Sequence, residues 1–223
     1  MLVQREEFES LISSGTDAER CGEWADALNQ YSAALARANE AGEFPRACDL
    51  LRAIGRLHFV RGDYDRAAEV FDLSLEQASR IEDRSHTAAA LNCRGVVEQF
   101  RGHMEAAQVY YERPGRMAEE TANSRLTALV EQNLATLATV RGDYEAALDH
   151  NRNALAMFRG LGEQLSSARV MNNIGTLHAD MGEHGHAELS FRGAHTLAER
   201  FGDAGLGVKV QTNRADLALR KQE

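Results

Sequence analysis

The sequence has few residues that would interrupt a helix: among 223 residues, only Pro45 and Pro114 are prolines. Aromatic residues make up only 6% of the chain, whereas hydrophobic residues make up 43% and charged residues 26%. This balance is typical of an ordered, folded chain. Alanine and leucine, two strong helix formers, are abundant. The composition predicts an all-α fold.

The sequence also lacks signs of secretion or membrane insertion. Cys21, Cys48 and Cys93 are scattered and form no CxxC pair, which argues against a disulfide framework and favours a reducing compartment. The first fifteen residues carry charges where a signal peptide needs an apolar core. No apolar run approaches the roughly 18 residues that span a bilayer. We therefore expect a cytoplasmic protein without a membrane partner.

A surplus of basic residues is missing as well. The chain has 25 basic and 34 acidic residues, a formal net charge of −9. Binding to duplex DNA or to an anionic membrane requires a basic surface. We expect neither nucleic acid nor membrane as the main partner.

The strongest pattern present is an internal repeat of forty residues. Five columns of residues recur at this spacing along the chain; four are dominated by glycine or alanine and one by aromatic residues. They are Gly22, Gly62, Gly102, Gly142 and Gly182; Gly15, Gly55, Gly95, Ala135 and Gly175; Ala27, Ala67, Ala107, Ala147 and Ala187; Tyr31, Phe71, Tyr111, Asn151 and Phe191; and Ala34, Ser74, Pro114, Ala154 and Ala194. Repeats at such a period indicate a solenoid of stacked units.

Each repeat has the pattern of a helical hairpin, helix A followed by helix B. Apolar residues recur at helical spacing on both sides of Gly62, which marks the end of helix A, where a left-handed residue is favoured. Asp63 and Asp143 follow such glycines and can cap helix B. Small residues such as Gly55 and Ala67 allow the two helices to approach closely.

These columns resemble the tetratricopeptide repeat. The second repeat supplies the family's small, glycine, tyrosine, alanine, aromatic and small residues in order, as Gly55, Gly62, Tyr64, Ala67, Phe71 and Ser74. The forty-residue period is similar to that of kinesin light chains, Pins-type adaptors and bacterial signalling regulators. The resemblance implies a right-handed α-solenoid superhelix of about five hairpins plus a terminal helix, about eleven helices in all, forming a single domain over residues 1–223. The expected repeats are 8–47, 48–87, 88–127, 128–167 and 168–207, with a terminal half-repeat at 208–223.

Two departures from the repeat pattern carry their own predictions. Pro114 and Gly115 interrupt helix B of the third repeat, which predicts a kink or an early end there. The terminal half-repeat at 208–223 lacks a partner helix, so Leu217 or Leu219 is expected to be partly exposed. This helix is interpreted either as a cap or as a contact for another subunit or domain.

The resemblance also implies that a partner binds in a concave groove lined by the A helices. The residues expected to bind it are Arg52, Arg56, Asn92, Gln132, Asn133, Thr136, Asn172, Asn173, Thr176 and Asn213. An amide both donates and accepts hydrogen bonds, so the amides among them can satisfy the backbone of an extended peptide. The alternatives are a solvated polar face or hydrogen bonding between neighbouring repeats. Phe59 and Phe100 can provide apolar pockets or belong to the core.

Charged residues on the same predicted face give a weaker indication. Arg52, Arg56, Arg169, Lys209 and Arg220 suggest a ligand with carboxylates. Glu19, Asp49, Asp180 and Asp216 fall on this face too and argue against that preference.

Other chemical signals favour structural interpretations. His178, His184 and His186 near Glu183 are interpreted as an exposed polar turn rather than a metal site. Cys93 has no evident activating base, and no catalytic constellation or cofactor motif is present. We therefore predict no enzyme activity, no metal and no cofactor.

The sequence favours a scaffold or adaptor module that binds a protein or peptide. The alternatives are a sensory or regulatory segment of a bacterial signalling or transcription regulator, and a repeat protein that self-assembles through its C-terminal helix.

Overall fold

A computed structural model describes residues 2–120 and 122–220, with no account of the side chains of 2–5 and 119. Over these ranges the chain forms eleven α-helices and no strand, which confirms the all-α prediction. The helices are α1 Leu2–Cys21, α2 Trp24–Glu40, α3 Phe44–Val60, α4 Tyr64–Arg80, α5 Arg84–Phe100, α6 Met104–Glu120, α7 Ser124–Val140, α8 Tyr144–Gly160, α9 Gln164–Asp180, α10 His184–Arg200 and α11 Ala204–Arg220. None of these helices is both long and apolar enough to span a membrane. The odd-numbered helices are the A helices and the even-numbered ones are the B helices.

The chain divides into two compact units, Met1–Thr121 and Ala122–Glu223. In the first unit, each helix from α1 to α5 packs against the next, and α3 also contacts α5. Its core is built from buried alanines and a few large side chains, including Tyr31, Leu57 and Phe71. Small residues between the large ones allow the helices to pack closely.

The second unit repeats this construction with α7 to α11, in which α9 also contacts α11. Phe158, Leu177, Phe191 and Leu217 are almost fully buried in it. Each unit therefore consists of stacked hairpins with its own apolar core, as expected for helical repeats.

Turns recur every twenty residues because helices of 17 residues alternate with three-residue connections. At the end of α3, the Gly62 N–H donates to the Phe59 carbonyl at 2.9 Å and the Asp63 N–H to the His58 carbonyl at 2.9 Å. This is the hydrogen-bond pattern of a Schellman motif, and Gly62 has the left-handed φ of 79° that it requires. Glu82 and Ala122 occupy equivalent turn positions with φ of 54° and 52°, without being glycine.

The first turns of two B helices, α4 and α8, are capped as the sequence predicted. The Asp63 carboxylate accepts the Arg66 N–H at 3.2 Å, and the Asp143 carboxylate accepts the Ala146 N–H at 3.1 Å. Each bond satisfies one of the backbone donors that a helix leaves unpaired at its start.

The contact between the two helices of a hairpin depends on the small residue of helix A. A Cβ atom on Gly55 would lie 2.5 Å from a ring carbon of Phe71, which is too close for real atoms. The fourth repeat replaces both partners, with Ala135 on helix A and Asn151 on helix B, and both are buried. The smaller amide leaves room for the alanine methyl group.

The expectation that helix B of the third repeat ends early is wrong. Helix α6 continues through Pro114 to Glu120. Proline does remove the hydrogen bond to the Tyr110 carbonyl. However, Tyr111 and Ala118 on the same helix are fully buried, so tertiary packing holds the backbone in the helical conformation on both sides of the ring.

Of the two leucines of α11 that were candidates for partial exposure, one is buried and the other is exposed. Leu206, Val210 and Leu217 are buried within the second unit, so the expected exposure of Leu217 does not occur. Leu219 is 65% exposed. The main apolar side of α11 is therefore covered by α9 and α10.

Candidate functional site

The candidate site is the A-helix face, defined as the side chains that the sequence predicts to line a groove, on α1, α3 and α5 in the first unit and on α7, α9 and α11 in the second.

Arg52 and Arg56 stand one helical turn apart on α3, and both are engaged in ion pairs. One guanidinium nitrogen of Arg52 donates to Asp49 at 2.5 Å, and Arg56 donates to Glu19 of α1 at 2.8 Å. The other terminal nitrogen of Arg52, Nη1, is buried and has no hydrogen-bond partner among the described residues. A buried guanidinium N–H without an acceptor is costly, and because this atom is enclosed, a ligand oxygen would reach it only if neighbouring side chains moved.

Asn92 and Cys93 lie on the neighbouring A helix, α5. Asn92 is only 8% exposed, so little of its amide faces solvent. Burial raises the pKa of the Cys93 thiol, although the charges of Arg52 and Arg56 act in the opposite direction. The thiol therefore stays protonated, which agrees with the prediction that it is not a nucleophile.

In the second unit, two of the predicted amides bind each other. The Asn213 side-chain N–H₂ of α11 donates to the Asn172 side-chain oxygen of α9 at 2.9 Å. Asn172 is 2% exposed. This pair matches the alternative of hydrogen bonding between neighbouring repeats, and it stabilises the contact between α9 and α11.

The remaining predicted residues of the second unit are partly exposed. Gln132, Asn133 and Asn173 belong to this class. The hydroxyls of Thr136 and Thr176 donate to the carbonyls of Gln132 and Asn172 in their own helices, at 3.1 and 3.2 Å. These hydroxyls keep acceptor capacity for a partner.

The expected positive character of the face is largely neutralised. Arg52 and Arg56 are not the only paired arginines on this face. Arg220 donates to Asp180 at 2.9 Å and to Asp216 at 2.8 Å. Arg169 donates to Asp203 at 3.0 Å. Because these guanidinium groups already have carboxylate partners, the arrangement gives no support for a ligand selected by its carboxylates.

Aromatic rings gather at the ends of A helices in the first unit. Phe59 and Phe100 make an edge-to-face contact with ring centroids 4.8 Å apart, and Tyr64 lies 5.4 Å from Phe59. Phe100 is 57% exposed, whereas Phe59 is partly buried. The rings thus combine the two roles considered from the sequence, packing with each other and presenting apolar surface.

Sequence reasoning missed a buried charge cluster around Glu98, which is 7% exposed. Its carboxylate accepts from Arg94 at 2.8 Å and Arg101 at 3.2 Å, and lies 2.8 Å from Nδ1 of His103. Burial raises the pKa of Glu98, but His103 and the two arginines outweigh it, and the net direction is downward. The spacing of Arg94 and Glu98 on one helix face was the available signal.

The comparisons with known proteins agree with this fold. Residues 124–200 match the model of the tetratricopeptide repeat family. Among curated proteins, none matches the sequence. The sequence-based resemblance is thus confirmed: residues 124–200 are tetratricopeptide repeats.

Solved structures extend the likeness of fold over most of the chain. The Rap conjugation gene regulator of plasmid pLS20, in complex with the Phr* peptide, matches with a TM-score of 0.81 at 14% identity, over 92% of this chain and 56% of its own. BtubC from P. vanneervenii matches with a TM-score of 0.61 at 18% identity, over 89% of this chain and 92% of its own. The protein TTC0263 from Thermus thermophilus matches with a TM-score of 0.67 at 17% identity, over 93% of this chain and 99% of its own. This chain spans little more than half of the Rap regulator.

Proposed function

We propose that the chain is a protein- or peptide-binding module that uses its A-helix face and catalyses no reaction. The observation that carries the proposal is the recurrence of partly exposed amides at equivalent positions of successive A helices, Asn133 on α7 and Asn173 on α9. Amides spaced by one repeat can donate to and accept from the backbone of an extended peptide.

Similarity to the Rap regulator supports the same function. That protein has this helical fold and was solved in complex with a peptide. A cytoplasmic location, and the absence of nucleic acid from its partners, belong to the same proposal.

The test is a quantitative pull-down that compares the wild type with the Asn133→Ala/Asn173→Ala variant, after thermal melting has shown that both are folded. The matched control is Asn29→Ala/Asn39→Ala, which removes two exposed amides from helix B of the first repeat. A partner retained by the wild type and the control, and lost by the first variant, would support binding at the A-helix face. Equal capture by all three proteins would contradict it.

One alternative, a sensory or regulatory segment of a larger signalling protein, is favoured by a specific observation. The chain matches 56% of the length of the Rap protein, which is a regulator of conjugation genes. Small-angle scattering with and without the captured partner would separate the two functions. With the partner's own scattering removed by neutron contrast matching, a changed profile of the chain would favour a switch, and an unchanged profile would favour a scaffold.

A further inference from the structure

Three potential metal ligands converge where α9 ends and α10 begins. The Glu183 carboxylate lies 2.6 Å from Nδ1 of His178 and 3.4 Å from Nδ1 of His186. The ligand atoms of the three residues all lie within 4.8 Å of one another. The sequence favoured an exposed polar turn here, but the third histidine of that turn, His184, does not belong to the cluster.

This arrangement adds one residue to a pair that recurs in other repeats. The same two positions hold His58 and Asp63 in the second repeat, 3.6 Å apart, and Glu98 and His103 in the third, 2.8 Å apart. A single imidazole–carboxylate pair is therefore sufficient to stabilise the turn. In the fifth repeat a second imidazole, His186, is brought to the same carboxylate, and turn stabilisation does not require it.

The positions of the three side chains suit a small cation. In a tetrahedral zinc site, with bonds of about 2.0–2.2 Å, neighbouring ligand atoms lie about 3.3 Å apart. The distance from His186 to Glu183 already matches this value, and that from His178 must lengthen by less than about 1 Å. The side chain of His178 is 12% exposed and fixed by packing, whereas Glu183 at 42% and His186 at 69% are free to adjust.

The surroundings also favour a cation. The cluster borders a cavity of about 520 Å³ whose wall includes Glu145, Asp149 and Arg152 of α8. The two carboxylates add negative charge, and Arg152, 3.2 Å from Asp149, offsets part of it. Glu183 directly precedes α10 and does not cap it through its side chain, so its carboxylate remains directed to the histidines.

We propose that His178, Glu183 and His186 bind a divalent cation of the zinc type. Both imidazoles ligate through Nδ1, and each carries its proton on Nε2 in the neutral form. Two nitrogen ligands and one carboxylate select zinc over magnesium or calcium, which prefer oxygen. Three protein ligands leave the fourth position open to water or to a side chain of a partner. The bound ion joins the end of α9 to the start of α10.

The test is isothermal titration of the untagged chain with zinc chloride at neutral pH, alongside His178→Asn and His186→Asn. We expect one zinc ion per wild-type chain and a loss of affinity of at least about tenfold in each variant. Since His186 is largely exposed, its replacement leaves the fold intact, which circular dichroism checks. Magnesium chloride should produce no binding heat.

The matched control is His58→Asn, which removes the equivalent imidazole–carboxylate pair from the second repeat. Its zinc affinity should equal that of the wild type. Substitution of cobalt for zinc should give visible absorption bands of tetrahedral intensity in the wild type and not in His186→Asn. A wild-type chain that binds no zinc at micromolar concentration, or a His186→Asn variant that binds as tightly as the wild type, would overturn the proposal.

Discussion

At the scale of single residues, the hairpins depend on a glycine that lies directly under an aromatic ring. Gly175 is one example, because a Cβ atom there would lie 2.6 Å from ring carbons of Phe191. We predict that Gly175→Ala lowers the free energy of unfolding by about 1–3 kcal/mol through overpacking. Urea denaturation measures the change. As a control, Gly185→Ala adds a methyl group where nothing lies within 4 Å and should cause no loss. Equal stability of Gly175→Ala and the wild type would contradict the packing argument.

The fourth repeat offers a reciprocal test, since Ala135 and Asn151 replace the glycine and the ring. We predict that Asn151→Phe alone is destabilising, and that adding Ala135→Gly recovers much of the loss. The coupling energy of this double-mutant cycle should be about 0.5–3 kcal/mol. Thermal and urea melts of the four proteins provide it. Strictly additive effects would show that the two positions do not compete for the same space.

The buried Glu98 predicts a pH dependence. Its pKa is lowered in the folded chain, so its ion pairs stabilise the fold above the ordinary carboxyl pKa, and this contribution is lost as the pH falls through the lowered value. Glu98→Gln should therefore reduce stability at neutral pH, by about 1–3 kcal/mol, and flatten the loss of stability in acid. Urea melts over a pH series measure this. The exposed Glu105→Gln serves as control and should follow the wild type.

At the scale of helices and turns, Pro114 is the clearest test of how packing overrides local preference. Pro114→Ala restores the hydrogen bond to Tyr110 and should raise the free energy of unfolding by up to about 3 kcal/mol. Pro45→Ala is the matched control, because Pro45 occupies the first turn of α3, where proline is tolerated, and its replacement should change little. A Pro114→Ala variant less stable than the wild type would mean that burial of the ring outweighs the lost hydrogen bond.

The helices and turns were predictable because they depend on local spacing. A glycine at most turns, followed by an aspartate at some of them, fixes the end of one helix and the start of the next, as Gly62 and Asp63 show. The continuation of α6 through Pro114 was not predictable, because it depends on how side chains of α6, such as Tyr111 and Ala118, are buried in the folded chain. The same holds for the candidate site. The sequence placed Asn172 and Asn213 on A helices. Predicting the hydrogen bond between them would require knowing how closely α9 and α11 pack, and the sequence does not give that distance.

At the scale of the whole molecule, self-assembly through α11 is the structural alternative to binding a separate partner. Because Leu206, Val210 and Leu217 are already buried within the second unit, we predict that the chain is a monomer of 24.6 kDa at micromolar concentration. Light scattering coupled to size-exclusion chromatography measures the mass. A dimer that Leu219→Asp converts to a monomer would instead favour assembly through α11.

The constant interval between turns has a consequence for how such a gene can change length. Any stretch of forty residues that starts at an A helix contains two helices and two complete turns, so it can be copied or deleted without shifting its neighbours out of phase. Duplication of residues 164–203, for instance, would place Asp203 directly before a new Gln164, in the position that starts the next A helix. Unequal recombination would therefore lengthen or shorten this protein in whole hairpins, and each event would add or remove one A helix from the A-helix face.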